Sequence, residues 1–522
     1  MPAPRALAVL IAATAICLAV DPALAQRNPL PAPDKTLPDR KAESIDPSPT
    51  TSGEIGPRAS SSDSNDAKAS PFVPLLARTQ IPSLSLRQES IDAASGANAT
   101  LALVGGTLVD GFGGPPLRNS VVLIEGERIA AVGQVGQLEV PAGARVVSTE
   151  GMTVLPGLWD MHVHLMINGH ADYAHWDTAY VDRLADVIMP ASAHPLLRAG
   201  ITSARDLGGP LEASLSVRDR INAGELPGPT MYMSGPFIQH EPYPGTEAFR
   251  WGVDGVDDAR AKVRTLAEAG VDCIKLIDQD QMTMAEVEAV IDEAHAHDLT
   301  VVAHGHRPEE IRRAVALGAD CIEHTGLSSA PEYPADVVAA IRERTAQMNR
   351  GPLYWTPTVE GLYNYEYTRD NPERLDADCW HLDLPDDVIA DIEASIQRPG
   401  ELPYFQLTPV RRPTLRRKIE QLKESGVVLL VGTDSGIPMK FHCQSTWNEF
   451  DVWVNEFDLD AMYAIRAATY WPAKLMGVEE EYGTVTPGKM ADVVAVEGNV
   501  LRHVALLQDV DVVVKHGEVV VE

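Results

Sequence analysis

Basic residues are in short supply in this chain. Its 43 lysines and arginines stand against 74 aspartates and glutamates, for a formal net charge of −31. So acidic a surface repels phosphate backbones and anionic lipid headgroups, which argues against nucleic acid or an anionic membrane as partner. Cysteine is scarcer still, five in 522 residues. No Cys-x-x-Cys pair occurs, so a thiolate zinc site of that kind is excluded. Cys17 lies near the N-terminus. Cys273, Cys321, Cys379 and Cys443 lack paired spacing and read as buried free thiols rather than a disulfide framework. The apolar stretch at residues 7–20 is too short to span a bilayer comfortably.

That stretch follows Arg5 and precedes Ala23-Leu24-Ala25, a small-x-small cleavage site. Residues 1–25 therefore read as a secretory signal, which implies a secreted or periplasmic protein with no membrane insertion once the signal is removed. Removal takes away one charge of each sign, Arg5 and Asp21, so the mature chain stays equally acidic. Residues 26–98 are rich in Pro, Ser, Asp and Ala, and read as a disordered linker that cannot bury enough apolar surface to offset chain entropy.

Short β-type runs then appear at 101–104, 120–124 and 128–132, separated by glycine turns, and again at 492–496, 510–514 and 518–521. Segments 99–153 and 476–522 read as two parts of one composite β-sandwich. Between them, residues 154–475 alternate strand and helix. Eight strand candidates fall at 154–164, 201–207, 230–236, 273–277, 300–306, 321–325, 354–359 and 427–435. Amphipathic helices intervene at 257–269, 284–297, 308–317 and 413–425. Eight β-α units predict an α/β fold, a (β/α)8 TIM-type barrel with its active site at the C-terminal strand ends.

Those ends carry the chemistry. The first candidate closes on His162-Val163-His164, whose i, i+2 spacing puts both imidazoles on one face of a strand. Lys275 sits within an apolar run, and the next run closes on His304-Gly305-His306. Another ends at His324, and the last at Gly432-Thr433-Asp434-Ser435-Gly436. Each is an apolar run, then a metal-competent or acid–base group, then a break. The set His162, His164, Lys275, His304, His324 and Asp434 resembles the amidohydrolase superfamily of metal-dependent hydrolases, and within it the group related to imidazolonepropionase and to Xaa-Pro or acyl-amino-acid dipeptidases. The resemblance runs from Leu101 to the C-terminus.

The resemblance implies a metal-activated water attacking the amide bond of a small N-acyl amino acid or dipeptide-like substrate. His162 and His164 would hold one divalent cation and His304 and His324 a second. Two zinc ions are expected, though the donors suit Mn or Co equally. Lys275, carboxylated by CO2 to a carbamate, would bridge them, and Asp434 would be both ligand and general base. His306 and Tyr363 are assigned to substrate contact, Tyr363 as part of the long segment 361–412 that reads as a lid or as a self-packed insertion. Asp434 could instead cap a helix. His170, His175, His240 and Arg250 read as loop residues without chemistry. A mononuclear deaminase or cyclic-amide hydrolase of the same superfamily is the alternative, and a barrel that binds without catalysis a third. A lysine at the site favours the binuclear reading. A homo-oligomer is compatible with the sequence.

If residues 1–25 are a signal, N-terminal sequencing of exported protein begins at Gln26 or within a few residues of it. Full-length chain retained in the cytosol would show that they are not.

Overall fold

The computed structural model describes residues 96–326 and 328–522. The expected signal peptide and all but the last three residues of the expected linker lie outside them. Among the described residues, no helix is long and apolar enough to cross a membrane.

The central architecture is α/β, with two wholly parallel sheets. The larger runs in the order Arg250–Gly252, Phe237–Gln239, Cys273–Leu276, Thr300–His304, Cys321–Glu323, Tyr354–Thr356, Val428–Leu429. The smaller holds Leu158–Val163, Ile201–Asp206 and Thr230–Met233. Backbone hydrogen bonds link both edges of the smaller sheet to the larger. Met161 N–H donates to the Val431 carbonyl at 3.0 Å and His164 N–H to that of Ser435 at 2.9 Å. At the other edge, Asp272 N–H donates to Met233 at 2.8 Å. Strands buried on both faces read as near-continuous apolar runs, which is why these segments do not alternate; Ile274, Val301, Ile322, Trp355 and Leu429 are all fully buried.

The helices between them follow ordinary end chemistry. Thr283 and Glu286 form a reciprocal capping box at the start of Met284–Ala296. Pro308 opens Pro308–Leu317, and Gly318 closes it in the left-handed region at φ 103°. Register then aligns the chemistry: Lys275 lies opposite Val302, His304 opposite Glu323, and Glu323 opposite Thr356.

The first expected strand, 154–164, divides in two. Met152–Pro156 pairs antiparallel with Val493–Glu497, while Leu158–Val163 joins the parallel sheet. The break falls at Gly157, where a Cβ would lie 2.0 Å from Thr202 Oγ1, so the two elements can meet this closely only without a side chain. Chain ends meet here: one five-stranded sheet combines Thr107–Leu108 and Met152–Pro156 with Val493–Glu497, Val512–Lys515 and Glu518–Val521. A four-stranded sheet is built from Leu101–Val104, Ser120–Glu125, Arg128–Gln134 and Arg145–Ser148. Leu103, Val122 and Val147 from the second share one apolar cluster with Val154, Val493 and Val514 from the first.

The insertion at 361–412 contains the helices Gly361–Asp370, Asp386–Ile396, Pro403–Gln406 and Thr408–Arg411. Tyr365 stacks on Phe405 with ring centroids 3.8 Å apart, and Trp380 stacks on Phe441 at 4.6 Å. The expectation that Cys379 and Cys443 are free thiols is corrected: they form a disulfide, Cα–Cα 6.1 Å, closing a sequence separation of 64 residues. Their spacing carries no sign of it because folding alone brings the insertion onto the segment after Asp434. Cys273 and Cys321 are free and buried, as expected.

Cross-linking over such a loop restricts the unfolded chain, which is worth about 2–4 kcal/mol. Cys443→Ser is therefore expected to lower the unfolding free energy by that margin and the denaturant midpoint with it, and the reductant sensitivity of the wild-type midpoint is expected to vanish in the variant. Equal midpoints for the two proteins would count against the bond.

Candidate metal centre

His162 and His164 stand at the end of the first parallel strand, and the i, i+2 spacing does place both rings together, their Nε2 atoms 3.3 Å apart. Asp434 reaches them from the end of the eighth run. Its Oδ1 lies 3.1 Å from His164 Nε2 and 3.4 Å from His162 Nε2. Asp434 caps no helix, since the next one begins at Ser445. Its backbone adopts φ 63°, in the left-handed region, and so does that of His324 at φ 71°. Both are non-glycine residues held where the conformation is costly, which tertiary structure must enforce. Gly432 permits the approach that does so: a Cβ there would meet Thr356 Cγ2 at 2.4 Å and His162 N at 2.8 Å.

His324 joins the two halves. Its Nδ1 is 3.9 Å from Asp434 Oδ2, its ring centroid is 4.9 Å from that of His162, and its Nε2 is 3.1 Å from His304 Nδ1. His306, expected to contact substrate, lies stacked on His324 at 4.4 Å. Two groups of donor atoms close enough to share a cation result: His162, His324 and Asp434; and His304, His306 and His324. The second includes His306, which the sequence reading left outside the ligand set. Tyr363 is placed differently. Its ring lies under the Arg412 guanidinium at 4.2 Å and edge-on to Phe457 at 6.0 Å. Among the described residues no hydrogen bond or ring contact joins it to the histidines.

Lys275 is fully buried, and its Nζ has no hydrogen-bond partner. An ammonium needs three acceptors. Burial pushes its pKa down, against the opposing pull of Glu323 and Asp434. Burial likewise holds His162, His304, His306 and His324 well below the ordinary histidine range, with Lys275 contributing in each case. Burial opposes ionisation of Asp434, yet the neighbouring His162 and His164 hold its carboxyl below the usual range. Neutral imidazoles, an ionised carboxylate and an unpartnered amine inclined to lose its proton form a donor set that fits divalent cations.

Behind these lie residues that the sequence reading missed. Glu323 Oε2 is 2.7 Å from His162 Nδ1, while its Oε1 accepts from Arg205 Nη2 at 2.9 Å; the carboxylate and guanidinium are both fully buried. A carboxylate on the far nitrogen fixes the His162 ring and leaves Nε2 facing the centre. Asp160 accepts from the backbone N–H groups of His162 and Thr433 at 3.1 and 3.0 Å, and from the hydroxyls of Thr433 and Thr446 at 2.8 and 2.9 Å. His442 Nε2 lies 3.2 Å from the His164 carbonyl. The available signal was a charged residue inside an apolar strand run, in Leu-Trp-Asp160-Met, Ser-Ala-Arg205-Asp and Cys-Ile-Glu323-His.

With Asn in place of Glu323, the side chain would be too short to reach both partners; Glu323→Gln is the milder change, leaving Arg205 buried without its anion. The Gln variant is expected to lose stability by about 3–5 kcal/mol and to bind divalent metal more weakly by about 10–100-fold, read by denaturation and by metal titration. Wild-type affinity in a folded Gln variant would free the His162 ring from this control.

Comparison with known proteins agrees with the geometry. Residues 153–520 match the Amidohydrolase family model. Ochratoxinase from Aspergillus niger is 26% identical over 481 residues, covering 82% of this chain and 87% of the relative. A crystal structure of a Xaa-Pro dipeptidase with bound methionine in the active site superposes with a TM-score of 0.61 at 25% identity, covering 81% of this chain and all of that one. Molinate hydrolase has a similar fold, with a TM-score of 0.62 at 22% identity over 81% of this chain and 95% of its own. The neighbours share a TIM-barrel-like α/β fold, and this chain belongs to the amidohydrolase family, as a hydrolase acting on carbon–nitrogen bonds.

Proposed function

We propose that the chain hydrolyses the amide bond of a small N-acyl amino acid or dipeptide-like substrate, with two divalent cations, zinc by preference. The observation that carries this reading is the buried, unpartnered Lys275 amine, which interacts electrostatically with His162, His304, His306, His324 and Asp434. His162 and His164 would hold one cation and His304 and His324 the other, with Lys275 carboxylated between them and Asp434 completing the set. When bound, such cations supply Lewis acidity at the scissile carbonyl and make the attacking water more acidic. Asp434, ionised and facing the same space, takes the proton from water and returns it to the leaving nitrogen. His306 faces substrate from beside His304. The names of the relatives, a dipeptidase among them, support a peptide-like substrate class.

The same reading takes eight of the ten strands of the two parallel sheets, all but Phe237–Gln239 and Arg250–Gly252, as one (β/α)8 barrel, supported by the hydrogen bonds that join the sheets. It takes the flanking sheets as one composite sandwich, supported by their shared apolar cluster. Export through the N-terminal signal is supported by the Cys379–Cys443 bond, because disulfides persist in oxidising compartments.

Two substitutions test the chemistry, using turnover on a panel of N-acyl amino acids and Xaa-Pro dipeptides. Asp434→Asn keeps the shape but cannot accept a proton. It should stay folded and retain at least part of its metal while turnover falls by about 10²–10⁴-fold; near-normal turnover would remove Asp434 from proton transfer. Lys275→Ala should bind fewer than two metals per chain by elemental analysis, and bicarbonate should speed reconstitution of the wild type but not of the variant. Two tightly held metals in the alanine variant would assign Lys275 another part.

A further inference from the structure

Two histidines close to the first strand take no part in that chemistry. His170 lies on the loop that follows His164 and His175 in the short helix Tyr173–Ala179 just after it, and both face the insertion helix Asp386–Ile396. His175 Nε2 is 2.8 Å from Asp391 Oδ2, and His170 Nε2 is 3.5 Å from the same oxygen. One donor atom from each of the three lies within 4.8 Å of the other two. A tetrahedral centre with bonds of about 2.0–2.1 Å sets its ligand atoms about 3.3 Å apart. The two measured separations fall on either side of that value, and the longer is too long for a good hydrogen bond.

The surroundings are those of ligands held in place. His170 Nδ1 lies 3.1 Å from the Asp172 carbonyl, so the tautomer protonated at Nδ1 can donate there and leave the Nε2 lone pair free. In the other tautomer Nδ1 accepts from Asp172 N–H at 2.9 Å; a cation at Nε2 would select the first. The Tyr180 hydroxyl donates to Asp391 Oδ2 at 2.7 Å. Burial pushes the His170 pKa down, with Asp391 opposing, which favours the neutral ring that a ligand needs. The His175 side chain is 47% exposed, which gives a cation a route in from solvent and room for water as a fourth ligand.

A contrasting cluster shows what a filled site looks like. Asp278, Asp280 and Glu310 also gather within reach of a cation, but Arg307 already sits among them, at 2.7, 2.5 and 2.6 Å. Among the described residues, Asp391 pairs with His170 and His175 and with no lysine or arginine.

We propose that His170, His175 and Asp391 form a further divalent-cation site of the zinc type, separate from the catalytic centre, which clamps the insertion onto the loop behind His162 and His164. Its effect would add to weaker ties along the same seam: Ala171 N–H to Ser395 Oγ at 3.0 Å, and Arg183 to Asp387 at 2.6 Å. Two imidazoles and one carboxylate suit zinc, and cobalt or nickel as substitutes.

The test uses holoenzyme dialysed to constant metal content, then titrated with Zn²⁺ alone, with bound zinc counted by elemental analysis and thermal unfolding followed in parallel. Wild type should take up one further saturable equivalent and unfold at a higher temperature. His175→Ala and Asp391→Asn should each lose that equivalent and that rise while keeping the metal held before titration. Should either variant fold poorly, diethylpyrocarbonate labelling of wild-type His175, read by mass spectrometry, decides the matter: zinc should protect it. Absence of a further equivalent in wild type, equal uptake by the folded variants, or labelling of His175 indifferent to zinc would each overturn the proposal.

Discussion

The Asp160 carboxylate is the constraint on which the centre rests. With four donors it binds the backbone of His162 to the backbone and hydroxyl of Thr433, and reaches Thr446 behind them. The His162/His164 pair and Asp434 belong to segments far apart in sequence, and this one side chain holds them to a common register. Burial raises its pKa to about 6 despite the hydrogen bonds. That cost is accepted for position, since hydrogen bonds to an ionised group in a dry interior are strong and directional.

Glu323 does the corresponding work on the other side. It sits one residue before His324, orients the His162 ring, and neutralises Arg205 in the barrel-like interior. Replacing a buried pair of this kind with apolar residues is often neutral for stability; the pair is better understood through what it aims. Lys275 is the residue for which no such compensation is visible. A buried amine with no acceptor, beside four depressed imidazoles, is a poor structural choice and a good ligand precursor. The left-handed backbones of His324 and Asp434, worth about 1–3 kcal/mol of strain each, point the same way: stability is given up where the geometry of ligands is decided.

The insertion is tied to the parallel sheets from two directions. Cys379–Cys443 fastens it to the segment just beyond Asp434, and Asp391 meets His170 and His175 just beyond His164. Both anchor points lie close in sequence to ligand-bearing strand ends. The insertion also packs into the main apolar core, through Leu362, Trp380, Val388, Ile392 and Ile396, and Tyr365 stacks on Phe405 within it.

The sequence by itself determined the class of fold and the roster of metal-competent groups. Apolar runs each ending in His, Lys or Asp mark strand ends, and the i, i+2 spacing of His162 and His164 places their rings together, because strand periodicity is a local property of the chain. Gly318, just past the helix expected at 308–317, lies at a helix end for the same reason. What only the tertiary structure decided is which distant residue each of these groups meets. Arg205 and Glu323 are separated by 118 residues, His175 and Asp391 by 216, and Cys379 and Cys443 by 64. No local pattern encodes such a pairing. The left-handed turns at His324 and Asp434, the stacking of His306 on His324 and the division of the first strand at Gly157 all depend on residues of other strands lying beside them.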